Sequence, residues 1–123
     1  MYSRQGCHDQ ALDHATQALD IARQIGHRHL EAATLNSLGE VRRAAGQPDA
    51  ALSNHRAALV LAHETNDRDE QARALDGIAH ALRATGAVDE ARQHWQEALA
   101  IYTDLDLPEA GSIRAHRSSG GAV

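Results

Sequence analysis

The sequence predicts an all-α fold, a solenoid of antiparallel helix hairpins with about five helices and a short terminal one. Three observations carry that expectation. Columns of identical residues recur every 40 positions, as in Gly6, Gly46 and Gly86. Within each unit the apolar residues keep helical steps of three and four. Finally, apolar residues make up 42% of the 123 positions, much of it Ala and Leu, and Phe is absent. These are strong helix formers, whereas a β-sandwich draws on β-branched and aromatic side chains.

The repeat is in register three times. Asp9, Asp49 and Asp89 share a column, as do Ala11, Ala51 and Ala91. Ala18, Ala58 and Ala98 follow the same step, then Leu19, Leu59 and Leu99, and conservatively Ile21, Leu61 and Ile101. A second set of columns fills the other half of the unit. It pairs Arg28 with Arg68, Ala32 with Ala72, Leu35 with Leu75, Leu38 with Ile78, and Arg43-Ala44 with Arg83-Ala84.

These columns predict helices in chain order. The first covers 8–25, after Gly6 in a turn and with Asp9 in its opening turn, where a carboxylate meets free N–H groups and the positive end of the dipole. The second covers 28–45, with Leu35, Leu38, Val41 and Ala45 on one face. Gly46 then ends it, and Pro48 with Asp49 opens the third helix over 48–64. Ala51, Leu52, Ala58, Leu59 and Ala62 form its apolar face. Asp67 and Glu70 have capping-box spacing and open the fourth helix over 68–85. The fifth runs over 88–104 after Gly86. A short helix is expected over 108–117, followed by a flexible tail at 118–123.

Composition excludes several function classes. The formal net charge is −5 with twelve basic residues, all Arg, which argues against direct nucleic-acid binding. No apolar run suits a membrane span, and a signal-peptide core is missing, so a cytoplasmic protein is expected. Cys7 is the one cysteine, so no intrachain disulfide forms. The nine histidines lack HExxH or Cys/His spacing, and the closest pair, His27 and His29, flanks a turn. No metal, no cofactor and no catalytic residue is expected. A nucleophile elbow and a phosphate loop are also missing, so the chain does not read as an enzyme.

At this point the chain resembles the tetratricopeptide repeat family. Leu38-Gly39 supplies the L-G pair of a first helix, Gly46 the turn glycine, and Ala51 and Ala58 the alanines of a second helix. In the next unit Ile78-Ala79 replaces L-G, while Gly86, Ala91 and Ala98 match. Trp95 falls on the second helix's aromatic place, from which His55 and Ala15 depart. Arg42 and Leu82 replace the first-helix aromatic, and Tyr2 falls four residues before Gly6 where that aromatic belongs. The resemblance divides the chain into a repeat domain over 1–117 (half repeat 1–27, full repeats 28–67 and 68–107, partial repeat 108–117) and the tail.

The 40-residue period resembles the long variety of the family, found in kinesin light chains, cell-polarity adaptors and actinobacterial transcriptional regulators. The segment from Ala18 to Arg28 looks most like the C-terminal repeats of the SARP and STAND types of such regulators. The resemblance implies a superhelix whose first helices line a concave groove. Its groove places fall on Asn36, Glu40, Arg43, Arg73, Asp76, His80 and Arg83. Arg offers forked donors to carboxylates, and Asn36 matches an asparagine that longer-repeat relatives use to hold an extended peptide. The carboxylate clamp of chaperone-binding relatives is not met, because Glu40 repels a C-terminal carboxylate. The implied partner is a peptide or another protein. A homo-oligomer is also expected, because Leu12, Leu19 and Ile21 make an apolar stripe on a helix that lacks its hairpin partner.

Overall fold

A computed structural model describes residues 4–105 of the chain, with side chains from residue 8 onward. Five α-helices follow one another: α1 (Arg4–Ile25), α2 (Arg28–Ala44), α3 (Pro48–Glu64), α4 (Arg68–Ala84) and α5 (Val88–Leu105). No strand occurs among the described residues. The starts of α2 and α4 lie 40 residues apart (68 − 28), as do those of α3 and α5 (88 − 48). Each helix packs on the next, and α2 also touches α4. Neither α1 and α3 nor α3 and α5 come together in this way. Thus α2 and α4 form the closed inner layer of the stack, and α1, α3 and α5 splay apart as its outer layer. The inner layer is the concave side.

All four turns are built alike. His27, Gln47, Asp67 and Ala87 each donate a backbone N–H to the carbonyl five residues earlier, at 2.8–3.0 Å. The residue before each donor is in the left-handed region: Gly26, Gly46, Asn66 and Gly86 at φ 69, 78, 53 and 93°. This Schellman geometry satisfies the carbonyls that the ending helix leaves open. Repeated every 20 residues, it sets the hairpins in register. Asp67 caps α4, its Oδ1 accepting from the N–H of Glu70 at 3.2 Å. Only half of the predicted capping box forms, because the carboxylate of Glu70 turns instead to Asn36 and Arg73. At the matching place on α2 the cap is His27, whose Nδ1 accepts from the N–H of Leu30 at 3.0 Å.

Small side chains let the helices approach closely. Ala22, Ala32, Ala51, Ala58, Ala62, Ala72, Ala79, Ala91 and Ala98 are all fully buried. Leu19, Leu35 and Leu38 join with Ala58 and Ala74 in one core cluster spanning α1 to α4. Leu75, Ile78, Leu82, Trp95, Leu99 and Tyr102 build the second between α4 and α5. Truncating one of these leucines to Ala costs about 2–5 kcal/mol.

Two expectations need correction. Gly6 does not mark a turn, because α1 begins at Arg4 and runs through it. Its counterparts Gly46 and Gly86 reverse the chain between packed helices, and no described helix precedes α1 to be reversed. The apolar stripe on α1 is also narrower than expected. Leu19 is buried against Leu35 and Leu38 of α2, Leu12 is half-buried, and Ile21 with Ile25 stays exposed. The expected helix at 108–117, the tail at 118–123, Tyr2 and the side chain of Cys7 lie outside the described residues.

Candidate peptide groove

The predicted groove residues come from α2 and α4, and six of the seven reach the surface, Glu40, Arg43 and Arg83 exposed and Arg73, Asp76 and His80 half-buried. The centre is Arg73 on α4. Its Nε and Nη2 donate to the two carboxylate oxygens of Glu40 on α2, at 2.9 and 2.8 Å. Such a bidentate pair is strong and directional. Arg73 also reaches Glu70 (3.2 Å), the hydroxyl of Ser37 (3.0 Å) and the carbonyl of Ala33 (3.3 Å). Burial alone pushes the Glu40 carboxyl up, but the hydrogen bonds and charge of Arg73 outweigh it and hold the group below its ordinary range. The Glu40 hydrogen bond likewise raises Arg73 against the opposing effect of burial.

Asn36 is not on this surface. It is fully buried, and its amide is taken up inside the helix stack. Nδ2 donates to the carboxylate of Glu70 at 2.9 Å and to its carbonyl at 3.2 Å. Both partners are acceptors, so the amide orientation is fixed, and Oδ1 faces Nδ1 of His55 at 2.7 Å. Nδ1 therefore carries the proton, and Nε2 presents a bare lone pair. That nitrogen is buried without a hydrogen-bond partner among the described residues. Its ring lies between Gly39 of α2 and Gly77 of α4, where a Cβ at either glycine would strike the imidazole. Burial pushes His55 down to about 4, with Arg73, Arg43 and His80 adding to the effect and Glu40 opposing it. The neutral ring is thus the native form.

One unit later the same arrangement returns with other residues. Trp95 stands where His55 stands, and Asp76 where Asn36 stands. Nε1 of Trp95 donates to Oδ1 of Asp76 at 2.9 Å. Asp76 lies also 3.4 Å from Nε2 of His80, whose ring meets Trp95 edge-on at 5.3 Å between centroids. Arg83 places its guanidinium 5.8 Å from the same indole centroid, a cation–π geometry. Asp76 and His80 are half-buried here, while Glu40, Arg43 and Arg83 are exposed.

Sequence reasoning does not find His55, Gly77 or Glu70. The available signal was the departure of His55 from the aromatic column: a polar ring in that buried seat requires a polar partner on the neighbouring helix. A second repeated pair joins the starts of the inner helices to the ends of the outer ones, Arg28 with Glu64 at 2.9 Å and Arg68 with Asp104 at 3.3 Å. No group of three or more His, Cys, Asp or Glu able to hold a metal occurs among the described residues. No helix among them is long and apolar enough to cross a membrane.

Comparison with curated proteins gave no match. The family model of the tetratricopeptide repeat matches residues 1–62 and, overlapping it, 30–104. Together these span the five helices and both complete hairpins, and the chain belongs to the tetratricopeptide repeat family.

Proposed function

We propose that the chain is a non-enzymatic scaffold that holds a peptide or protein partner in the concave face of α2 and α4. Tetratricopeptide repeats generally mediate protein–protein interaction. The observation that carries the reading is the Glu40–Arg73 pair, which ties the two inner helices together across the face. A surface fixed before binding loses less entropy when a ligand docks. Arg43, His80 and Arg83 then line a face of set shape. Selection from a displayed random-peptide library yields binders to the intact chain. Arg43→Glu combined with Arg83→Glu releases them while helicity by circular dichroism is kept. An equal yield from the double variant sinks the reading.

The likeness of the segment from Ala18 to Arg28 to repeats of actinobacterial regulators supports a wider role, the sensor portion of a transcriptional regulator in the cytoplasm. A small ligand or signal peptide is then the alternative occupant. An upstream reading frame without a DNA-binding or ATPase region would remove that support. A second reading is self-association through α1, favoured by Ile21 and Ile25, which are 54% and 64% exposed on its surface. Light scattering that gives a monomer mass over a wide concentration range refutes it.

A further inference from the structure

The seam between α2 and α4 is closed by hydrogen-bonded side chains. Arg73 donates to Glu40, to the hydroxyl of Ser37 and to the carbonyl of Ala33, and Asn36 donates to Glu70. Such bonds exchange with water at a net cost of about 1 kcal/mol each. The clusters that join consecutive helices are apolar instead. The stack therefore parts more easily along this seam than within a hairpin.

The imidazole of His55 is wedged into that seam from α3, between Gly39 and Gly77. Nδ1 is held by Asn36, so an incoming proton goes to Nε2. No acceptor meets Nε2 among the described residues. Glu40 of α2 favours a positive charge on the ring, but it already takes two hydrogen bonds from Arg73. Arg43 of α2, and Arg73 and His80 of α4, oppose that charge. Asn36 faces the ring as a neutral amide. Among the described buried side chains, His55 is the one of a type that titrates near neutral pH. An imidazolium in this seat is thus buried, charged and without an acceptor. The two glycine backbones block any retreat of the ring. Parting α2 from α4 lets water reach Nε2.

We propose that a proton on Nε2 of His55 parts α2 from α4, breaks the Glu40–Arg73 pair and releases a partner held across the inner face. The release rests on the groove reading above; the opening does not. The packed ring titrates at about 4, and a hydrated ring at its ordinary 6.5. At about pH 5 the open form is then favoured about thirtyfold more than at neutral pH. By reciprocity, a partner that fastens α2 to α4 makes the ring harder to protonate.

The test follows the Nε–H of Arg73, which donates to Glu40, in nitrogen-15 correlated NMR spectra of the whole chain. Between neutral pH and about pH 5 that signal is lost in step with the titration of the His55 ring protons, while the backbone amides of the five helices persist. His55→Gln, which cannot take the proton, keeps the Arg73 signal over the same range. Glu40 does not mimic the effect, because its carboxyl lies below its ordinary value despite burial and stays ionised there. An Arg73 signal that persists until general unfolding overturns the inference. So does one lost equally in His55→Gln, one whose midpoint differs from that of the His55 ring in the unaltered chain, or one lost together with the backbone amides. For the release, a labelled library-selected groove binder is held about tenfold more weakly at about pH 5 than at neutral pH, and His55→Gln removes the difference. Equal binding at both values overturns the release and leaves the groove reading standing. A library that yields no groove binder overturns the groove reading and the release with it, and the Arg73 signal still decides the opening.

Discussion

Gly77→Ala should destabilise the protein by about 3 kcal/mol in the native chain and stabilise it slightly once His55 is removed. The added methyl would meet three atoms of the His55 imidazole at distances no carbon tolerates. The ring has no retreat, because a Cβ at Gly39 on its other side would stand only 2.5 Å from Nε2. Tilting it also breaks the 2.7 Å bond to Asn36 and strands two buried polar atoms. Overpacking costs about 1–3 kcal/mol, and a lost buried hydrogen bond about 1–3 kcal/mol. Against these, Ala gains about 1 kcal/mol of helix propensity over Gly. In a helical domain of this size the net loss lowers Tm by about 12 °C or more. In the His55→Ala background the clash is gone and only the propensity gain is left. Urea unfolding followed by circular dichroism on the four chains of the cycle gives the coupling, expected at about 3–4 kcal/mol. Equal destabilisation by Gly77→Ala in both backgrounds refutes the claim that the imidazole occupies the space between the glycines.

Acid should weaken the fold in a defined window. The folded state holds His55 at about 4, below the unfolded value of 6.5. Between those limits the unfolded chain binds more protons, so stability is full above 6.5 and falls as pH drops towards 4, by about 3 kcal/mol in all. His55→Gln should flatten that part of a stability–pH curve; an unchanged slope excludes His55 as its source. Arg73→Ala removes the contacts to Glu40, Glu70, Ser37 and Ala33 together. Because the Arg73 and Glu40 side chains are 30% and 46% exposed, solvent screening limits the loss to about 1–2 kcal/mol by urea unfolding. Asp67→Ala removes the α4 cap and the 2.9 Å contact from Nδ1 of His29, and should cost about 1 kcal/mol. Arg28→Ala, which breaks only the exposed pair with Glu64, should cost less than about 0.5 kcal/mol in the same assay.

The helices were legible because alanine columns and turn signals repeat together. Gly46 and Gly86 predicted the turns, which are left-handed there, and Pro48 with Asp49 predicted the start of α3. Exposure was legible where a side chain must point outwards. Glu40 and Arg43 on α2 and Arg83 on α4 are exposed. Asn36 failed because a column states direction, not partner. It points towards α3, where His55 replaces the usual aromatic and offers an N–H. Asp76 shares that column and finds the N–H of Trp95. Taken as pairs, acceptors at 36 and 76 facing ring donors at 55 and 95 hold the information that single columns lack. The contact of Glu70 with Asn36 joins residues 34 apart on two repeats, and no local pattern encodes it.

The seat between Gly39 and Gly77 also constrains how such a chain can grow. Tandem genes lengthen and shorten by unequal crossing-over, which trades one unit for another in frame. Here a unit copied from the later repeat would bring the two-ring indole of Trp95 into a gap shaped for one five-membered ring. It would also bring Asp76 to the place of Asn36, so that Glu70 faces a second carboxylate where it now accepts from an amide. The backbones of the two units are interchangeable, but their junction is not. The order of the repeats is therefore inherited as a fixed text, and duplications that ignore it should be lost through instability before any partner is tested.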